Sequence, residues 1–329
     1  MSKTRLRASI ETFPVAGRFT IARGSRTEIA VVRVELERDG IVGQGECVPY
    51  ARYGETPADT LASILALEEE LASGLDRTAL QSALPAGAAR NGIDCALWDL
   101  EARTTGIPVA NLAGLVPHQH IETAYTISLG TPETMAEATT RATNMPLLKV
   151  KLGADGDAER LAAVREAAPS ARIIVDANEG WAGDVLEHML ALCARHRVEL
   201  VEQPLPSDAD GVLAHIARPV PVCADESTHT TDGLVDLVAR YDAVNIKLDK
   251  TGGLTEALRM AQRAEELGLS IMVGCMLSTS LSMAPAALLA GRARWVDLDG
   301  PLLLSQDRPG GLTYDKGIIL GSSCRLWGG

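Results

Sequence analysis

Three observations predict a (β/α)8-type parallel barrel preceded by a small α+β domain. From about Ile121 onward, short apolar strands alternate with amphipathic helical stretches. Polar residues recur near the strand ends at Lys151, Asp176, Glu202, Asp225 and Lys247, at intervals of 25, 26, 23 and 22 residues, the length of one strand plus one helix. The first hundred residues have another texture, in which apolar–polar alternation gives way to helical spacing.

The run TEIAVVRVELERDGIVGQGE at 27–46 alternates on either side of Asp39-Gly40, which predicts an antiparallel hairpin with a tight turn. Helical spacing follows over 59–71 and 88–104, where Ile93, Ala96, Leu97 and Leu100 share a face. The strands of the second part are AYTISL, LLKVKL, RIIVDAN, VELVEQ, PVCADE, AVNIKL, SIMVGC and WVDLD, and eight units favour a closed barrel over an open sheet. Boundaries are expected at 1–117, 118–311 and 312–329, the last segment returning to the N-terminal domain.

With 329 residues, of which 46% are hydrophobic, the chain can bury about three quarters of its surface without staples. Lys plus Arg total 31 against 43 Asp plus Glu, a net charge of −12 that opposes binding to nucleic acid or an anionic membrane. Four Trp, five Tyr and two Phe leave little for base stacking. Six widely spaced cysteines with no CxxC pair read as buried thiols of a reducing compartment. No signal-like apolar core and no 18-residue uncharged apolar run occur, so the expectation is a cytoplasmic protein.

Side chains alternate faces along a strand, so Lys149 and Lys151 point into the barrel while Leu148, Val150 and Leu152 meet the helices. The same parity turns Asp176, Glu202, Asp225, Lys247, Asp297 and Asp299 inward at the C-terminal rim, where barrel active sites are built. Three acids on neighbouring strands repel one another unless a cation lies between them, and an all-oxygen donor set suits Mg²⁺, with Mn²⁺ as the alternative. Lys149 and Lys151 are expected to disfavour each other's charge, leaving one neutral enough to act as a base, with Lys247 facing them across the barrel. A general base supplies roughly 10²- to 10⁴-fold, too little to ionise the α-carbon of a carboxylate without a metal and nearby cations.

KVK at 149–151, DAN at 176–178, EQP at 202–204, ADES at 224–227 and NIKLDKTGG at 245–253, in this order and spacing, resemble the muconate lactonizing branch of the enolase superfamily. The resemblance spans essentially the whole chain. It implies a modified (β/α)7β barrel with a capping domain, Mg²⁺ on Asp176, Glu202 and Asp225, and Lys151 and Lys247 as acid/base lysines. Lys149 would tune Lys151, and Asn178 would lie behind the ligands.

ARGSR at 22–26 and DLDGP at 297–301 further resemble the dipeptide epimerases of that branch, those acting on L-Ala-D/L-Glu as in murein handling. Asp297 and Asp299 would receive the free ammonium, Arg26, in a flexible-looking segment, the side-chain carboxylate, and Met276 and Thr126 would line the remainder. The implied reaction is a two-lysine 1,1-proton transfer through a metal-stabilised enolate. Other readings are a different reaction of the branch (N-acylamino acid racemase, cycloisomerase or o-succinylbenzoate synthase), a Schiff-base lysine aldolase, or a noncatalytic binding protein. Arg23 and Arg18 compete with Arg26, Lys250 reads as structural, and a homo-oligomer is left open.

Overall fold

In the computed structural model, residues 3–321 and 324–329 are described. Strands β1 (Arg5–Ile21), β2 (Gly24–Arg38) and β3 (Ile41–Cys47) form an antiparallel sheet. Asp39 and Gly40 both take positive φ, 55° and 80°, as the expected two-residue turn demands. Strand β1 was not anticipated, because its register slips between Pro14 and Phe19 and breaks the alternation.

Helices α1 (Pro57–Leu65), α2 (Glu68–Ala72), α3 (Arg77–Ala83) and α4 (Ala88–Thr105) cover one face of this sheet. Helix α4 lies so close to β3 that a Cβ on Gly45 would sit 2.1 Å from the Gly92 carbonyl oxygen, and one on Gly43 2.3 Å from the Leu100 nitrogen. These two glycines therefore serve backbone approach.

The eight anticipated barrel strands are β5 (Tyr125–Ile127), β6 (Leu147–Lys151), β7 (Arg172–Asp176), β8 (Val198–Glu202), β9 (Val222–Ala224), β10 (Ala243–Ile246), β11 (Ser270–Val273) and β12 (Trp295–Val296). They pair in parallel in sequence order. The Ala124 N–H donates to the Val296 carbonyl at 2.8 Å and the Leu298 N–H to Thr123 Oγ1 at 2.8 Å, joining the two ends of the sheet.

Ala124, Leu147, Ile174, Leu200, Cys223, Ala243, Met272 and Trp295, one from each strand segment, fill the interior as an apolar layer. Full helices follow β5, β6 and β7, at Pro132–Arg141, Asp157–Ala167 and Gly183–Arg195. After β8 there is only a 3-10 turn, Asp210–Ala214, in a stretch carrying Gly211, Pro219 and Pro221. Helical segments Leu234–Leu237, Leu254–Glu266 and Ser280–Ala287 follow β9, β10 and β11, which with the turn after β8 makes seven crossovers, and only the 3-10 turn Gly300–Leu303 follows β12, so the barrel is (β/α)7β. No described helix is long and apolar enough to cross a membrane.

The C-terminal segment reaches the capping domain at its end, where the Leu326 carbonyl accepts from Arg103 and Gln44, but its strands pair elsewhere. Strands β13 (Thr313–Asp315) and β14 (Ile318–Leu320) pair with β4 (His120–Glu122) just before the barrel, not with the N-terminal sheet. Only the last residues reach α4, where Trp327 Nε1 donates to the Cys95 carbonyl and the Gly328 N–H to Asp99.

The two domains are joined by buried polar ties. Glu46 accepts from Arg308, from the Thr279 N–H and from the Thr279 hydroxyl, and Asp249 accepts from the Val48 N–H and Asn91.

Asp94, on α4, belongs to the same seam and accepts from the Thr255 N–H and Gln81. Burial pushes its carboxyl from 3.8 up to about 6, with the Thr255 hydrogen bonds and the charges of Arg77 and Arg90 opposing. The folded state then binds this proton more tightly than the unfolded one, so ionisation costs stability as pH rises from about 4 to about 6, and the full cost persists above. Asp94→Asn should be more stable than wild type by about 2 kcal/mol at pH 7.5 and by much less at pH 5. Urea denaturation at the two pH values measures this, and an equal loss at both would show that the ionised carboxylate is favoured.

Candidate active site

Above the apolar layer, the inward positions of the barrel are charged. Lys149 and Lys151 lie on β6, Asp176 ends β7 and Glu202 ends β8. Asp225, Lys247 and Asp297 follow directly after β9, β10 and β12. All are buried. β6 and β10 stand opposite each other in the strand order, so Lys151 and Lys247 come from opposing sides.

Each acid is engaged by an ammonium. Lys151 Nζ lies 2.6 Å from Asp176 Oδ2, and Lys149 Nζ lies 2.7, 2.8 and 3.1 Å from Glu202, Asp297 and Asp176. Lys247 Nζ is 2.6 Å from Asp225 Oδ2 and 3.9 Å from Glu202 Oε1. Lys149 thus bridges the acids of β7 and β8, and Lys247 those of β8 and β9. Asn245 donates to Glu202 Oε1 at 2.7 Å, and the Asn178 N–H donates to Asp176 Oδ1 at 2.9 Å.

With the lysines folded onto these carboxylates, no three His, Cys, Asp or Glu side chains among the described residues form a ready metal cage. Glu202 Oε2, although ion-paired, and Asp297 Oδ1 are buried without a hydrogen bond. These two oxygens retain acceptor capacity for a further cation.

The charge of Lys149 is set by its neighbours in space. Burial works against charge on Lys149, but Asp297, Glu202 and Asp176 outweigh it and hold the ammonium well above its usual range. Lys247 is likewise raised, burial being outweighed by Asp225 and Glu202. Burial and then the charge of Asp176 push Glu202 up to about 7. Asp225 is held well below the carboxylate range, its burial outweighed by Lys247 and Lys250.

A cavity of about 470 Å³ opens onto this cluster, and Lys151, Lys247, Asn178, Asp225 and Met276 line its barrel side. Phe19, Arg23, Arg26, Tyr50 and Tyr53 line the capping side. Arg26 is there as expected, its guanidinium 5.7 Å from the Tyr50 ring centre. Its segment is not a loose one, because Arg26 sits on β2 paired with Phe19. Arg18 is exposed and does not line the cavity, and the Arg23 guanidinium is committed to Glu226, Glu179, Tyr50 and the Asn178 carbonyl.

Thr126, Asp297 and Asp299 are not brought to the cavity surface. The Thr126 N–H donates to Asp299 Oδ2 at 2.7 Å, and Asp297 Oδ2 is taken by Lys149. Burial and then the neighbouring Asp297 push the Asp299 carboxyl up to about 7, with Thr126 opposing.

Lys250, read as structural, is a buried partner of Asp225 and does not face elsewhere as its place beyond the strand suggests. Its Nζ is fully buried and donates to Asp225 Oδ1 at 2.6 Å and to the Asp225 carbonyl at 2.5 Å. The signal was present: a helical turn, Leu248–Thr251, follows β10, and i,i+3 spacing returns Lys250 to the side of Lys247. Glu226, Tyr50 and Tyr53 were also missed, since strand parity says nothing once β9 has ended or within the Ala51–Tyr53 turn.

Residues 5–114 match the mandelate racemase / muconate lactonizing enzyme N-terminal domain and residues 133–318 the enolase C-terminal domain-like family. The chain belongs to this mandelate racemase/muconate lactonizing group of the enolase superfamily. Among curated relatives, the L-Ala-D/L-Glu epimerase of Escherichia coli K12 is 48% identical over 311 residues, 94% of this chain and 97% of that one. The N-acetyl-D-glutamate racemase of a Pseudoalteromonas species is 45% identical, over 87% of this chain and 91% of its own.

Among solved structures, an Agrobacterium tumefaciens enolase family member with homology to dipeptide epimerases, holding sodium and L-Ala-L-Glu, superposes with a TM-score of 0.97. It is 53% identical and is matched over 99% of this chain and 100% of its own. A Cytophaga hutchinsonii dipeptide epimerase complexed with Mg and D-Ala-L-Val gives a TM-score of 0.93 at 27% identity, over 100% of this chain and 96% of that one.

Because Lys250 is one of two ammonium partners of a fully buried carboxylate, Lys250→Met should cost about 2 kcal/mol or more of stability. Denaturant melts measure this, and a neutral result would mean that Lys247 alone compensates Asp225.

Proposed function

We propose that this chain is a dipeptide epimerase that inverts the glutamyl α-carbon of Ala-Glu, interconverting L-Ala-L-Glu and L-Ala-D-Glu. The observation that carries this reading is that Lys151 and Lys247 enter one cavity from opposing strands, beside a cluster of three acids. Asp176, Glu202 and Asp225 would hold Mg²⁺, or Mn²⁺ in its place, and oxygen-only donors with an unsatisfied Glu202 oxygen fit such an ion. When bound, the ion neutralises the substrate carboxylate and so makes the adjacent α-carbon more acidic.

An α-carbon lying between the two lysines presents one face to each. The amine of one lysine accepts the α-proton, and the C–H electron pair passes into the carboxylate to give a planar enolate. The ammonium of the other lysine then returns a proton to the opposite face, and the roles reverse for the other epimer. Lys149, held charged by three carboxylates, keeps a fixed positive charge beside the reacting carboxylate. Arg26, on the capping side, is placed to pair with the glutamyl side-chain carboxylate. Asp297, with one oxygen free, and Asp299 would take the ammonium, whose charge would keep Asp299 ionised. Free thiols at all six cysteines support a reducing, cytoplasmic setting.

One observation favours a second reading, racemisation of an N-acylglutamate. Asp297 and Asp299 are occupied by Lys149 and Thr126 and do not line the cavity, so a substrate without an ammonium would ask less of them.

Incubation with L-Ala-L-Glu and Mg²⁺ in D₂O, followed by NMR, should show loss of the glutamyl α-proton with growth of the L,D epimer. N-acetyl-glutamate should turn over more slowly, and Asp299→Asn should depress the dipeptide reaction selectively. Faster turnover of the N-acyl substrate, untouched by Asp299→Asn, would decide for the second reading.

Lys151→Ala and Lys247→Ala should each lower epimerisation by about 10³-fold or more while exchange from one epimer survives. Normal turnover by both variants would remove the two-lysine scheme. Mg²⁺ should raise the melting temperature of the wild type but not of Asp225→Asn, and an equal rise in both would place the ion elsewhere.

A further inference from the structure

The capping side of the cavity is built from two separate pieces of chain, the β1–β2 hairpin end carrying Phe19, Arg23 and Arg26, and the turn carrying Tyr50, Arg52 and Tyr53. Both are tied to the barrel through one carboxylate. Arg52 donates to Glu179 through Nε at 2.8 Å and Nη2 at 2.9 Å, and Arg23 Nη1 donates to the same group at 3.2 Å. The Ser207 N–H donates to it at 3.0 Å, so each Glu179 oxygen accepts twice.

Glu179 does not itself line the cavity, although Arg23 and Arg52 do. Its backbone is held in an unusual state, with Asn178 and Glu179 at φ 48° and 66°, and its N–H donates to the Gln203 carbonyl at 2.9 Å. Two consecutive non-glycine residues in the left-handed region carry a conformational cost that the surrounding hydrogen bonds must offset. That conformation brings the carboxylate to the outer rim, three residues after Asp176.

We infer that Glu179 is a positioning residue that pins both capping segments to the end of β7, so that the substrate-facing wall assembles as one unit. The Arg23 guanidinium also donates to the Tyr50 hydroxyl at 3.0 Å, which links the two segments directly. Glu226, 2.6 Å from Arg23, holds the hairpin end alone. Glu179 therefore fixes the turn strongly and the hairpin end through shared contacts. The consequence for substrate binding rests on the dipeptide reading, whereas the consequence for wall order does not.

The test uses the full chain and its Glu179→Gln, Arg52→Met and Arg23→Met variants, with hydrogen exchange and steady-state kinetics on L-Ala-L-Glu with Mg²⁺. Glu179→Gln should speed amide exchange by about 10-fold over residues 50–54 and about 3-fold over 18–26, leaving β6 unchanged. KM should rise by about 10-fold with kcat within about 3-fold, the pattern of lost binding rather than lost chemistry. In the Glu179→Gln background, Arg52→Met should add less than about 2-fold to either readout.

Exchange that rises in residues 50–54 alone, additive effects of the two substitutions, or a fall in kcat with KM unchanged would overturn the inference. If Glu179→Gln fails to fold, Arg52→Met must loosen both segments or the inference falls. Loosening of both segments in a protein inert toward every dipeptide would leave the wall assignment standing and remove the substrate reading.

Discussion

The mouth of this barrel depends on keeping five carboxylates in a space from which water is nearly excluded. Asp176, Glu202, Asp225, Asp297 and Asp299 are all buried, and so are Lys149, Lys151, Lys247 and Lys250. Two like charges 4 Å apart repel by about 4 kcal/mol at the effective dielectric of a protein, so these acids can remain ionised only if cations are interleaved with them. The lysines are the cations the sequence supplies, and they fall one carboxylate short. No described lysine sits on Asp299, and among the acids of β7, β8 and β9 the least satisfied is Glu202, with its carboxyl pushed up and one oxygen lacking a hydrogen bond. A divalent cation would remove the deficit even with one lysine neutral as the base, so that an anionic substrate would enter a pocket no longer negative.

The scaffold separates that charge from the forces that hold the fold. Directly beneath the ionic layer lies an apolar layer from all eight strands, with Trp295 and Met272 among its bulkier members. It closes the barrel from below, and the charged side chains above it stand on short strands whose other face is packed against helices. Lys149, Lys151, Asp176 and Glu202 thus inherit their positions from strand register, and Asp225, Lys247 and Asp297 lie one residue beyond it. Proton transfer requires hydrogen-bond distances between reacting groups, and strand ends fix positions better than loops do.

Strand parity also explains how much of this could be read in advance. Short apolar runs alternating with helical stretches locate the barrel strands, and period-two parity gives the facing of both lysines on β6, where a one-residue slip would exchange the two faces. The same logic stops where a strand stops. Lys250 was set aside because it lies past β10, yet the short helical turn there brings it back onto Asp225. Strand β1 escaped notice because a bulge interrupts its pattern, and with β1 went the arm that holds Arg26. The C-terminal hairpin reads as strands, but its partner β4 is three residues long and separated from it by the whole barrel, a pairing that no local pattern encodes. The charged state of Lys149 is not legible in the sequence for a related reason. Its neighbour in sequence is a lysine, but its neighbours in space are three acids from three other strands.

Chemistry and recognition consequently rest on different mechanical supports. Lys151, Lys247 and the acids belong to the closed barrel, whose strands cannot shift without breaking the hydrogen bonds on both sides. Arg26 and Tyr50 belong to a wall that meets the barrel through partly exposed charged contacts, the Leu129 N–H on the Thr20 carbonyl and the Tyr53 ring against His229. Exposed ion pairs are individually weak, so such a wall can open at modest cost, and it closes firmly only when several contacts form together. On the proposed dipeptide reading, a substrate with two carboxylates would add contacts to both sides, the acid cluster below and Arg26 above. Closure is then favoured by the molecule whose length and charge span the gap, and discrimination among substrates follows from that span while the proton-transfer groups stay where the strands put them.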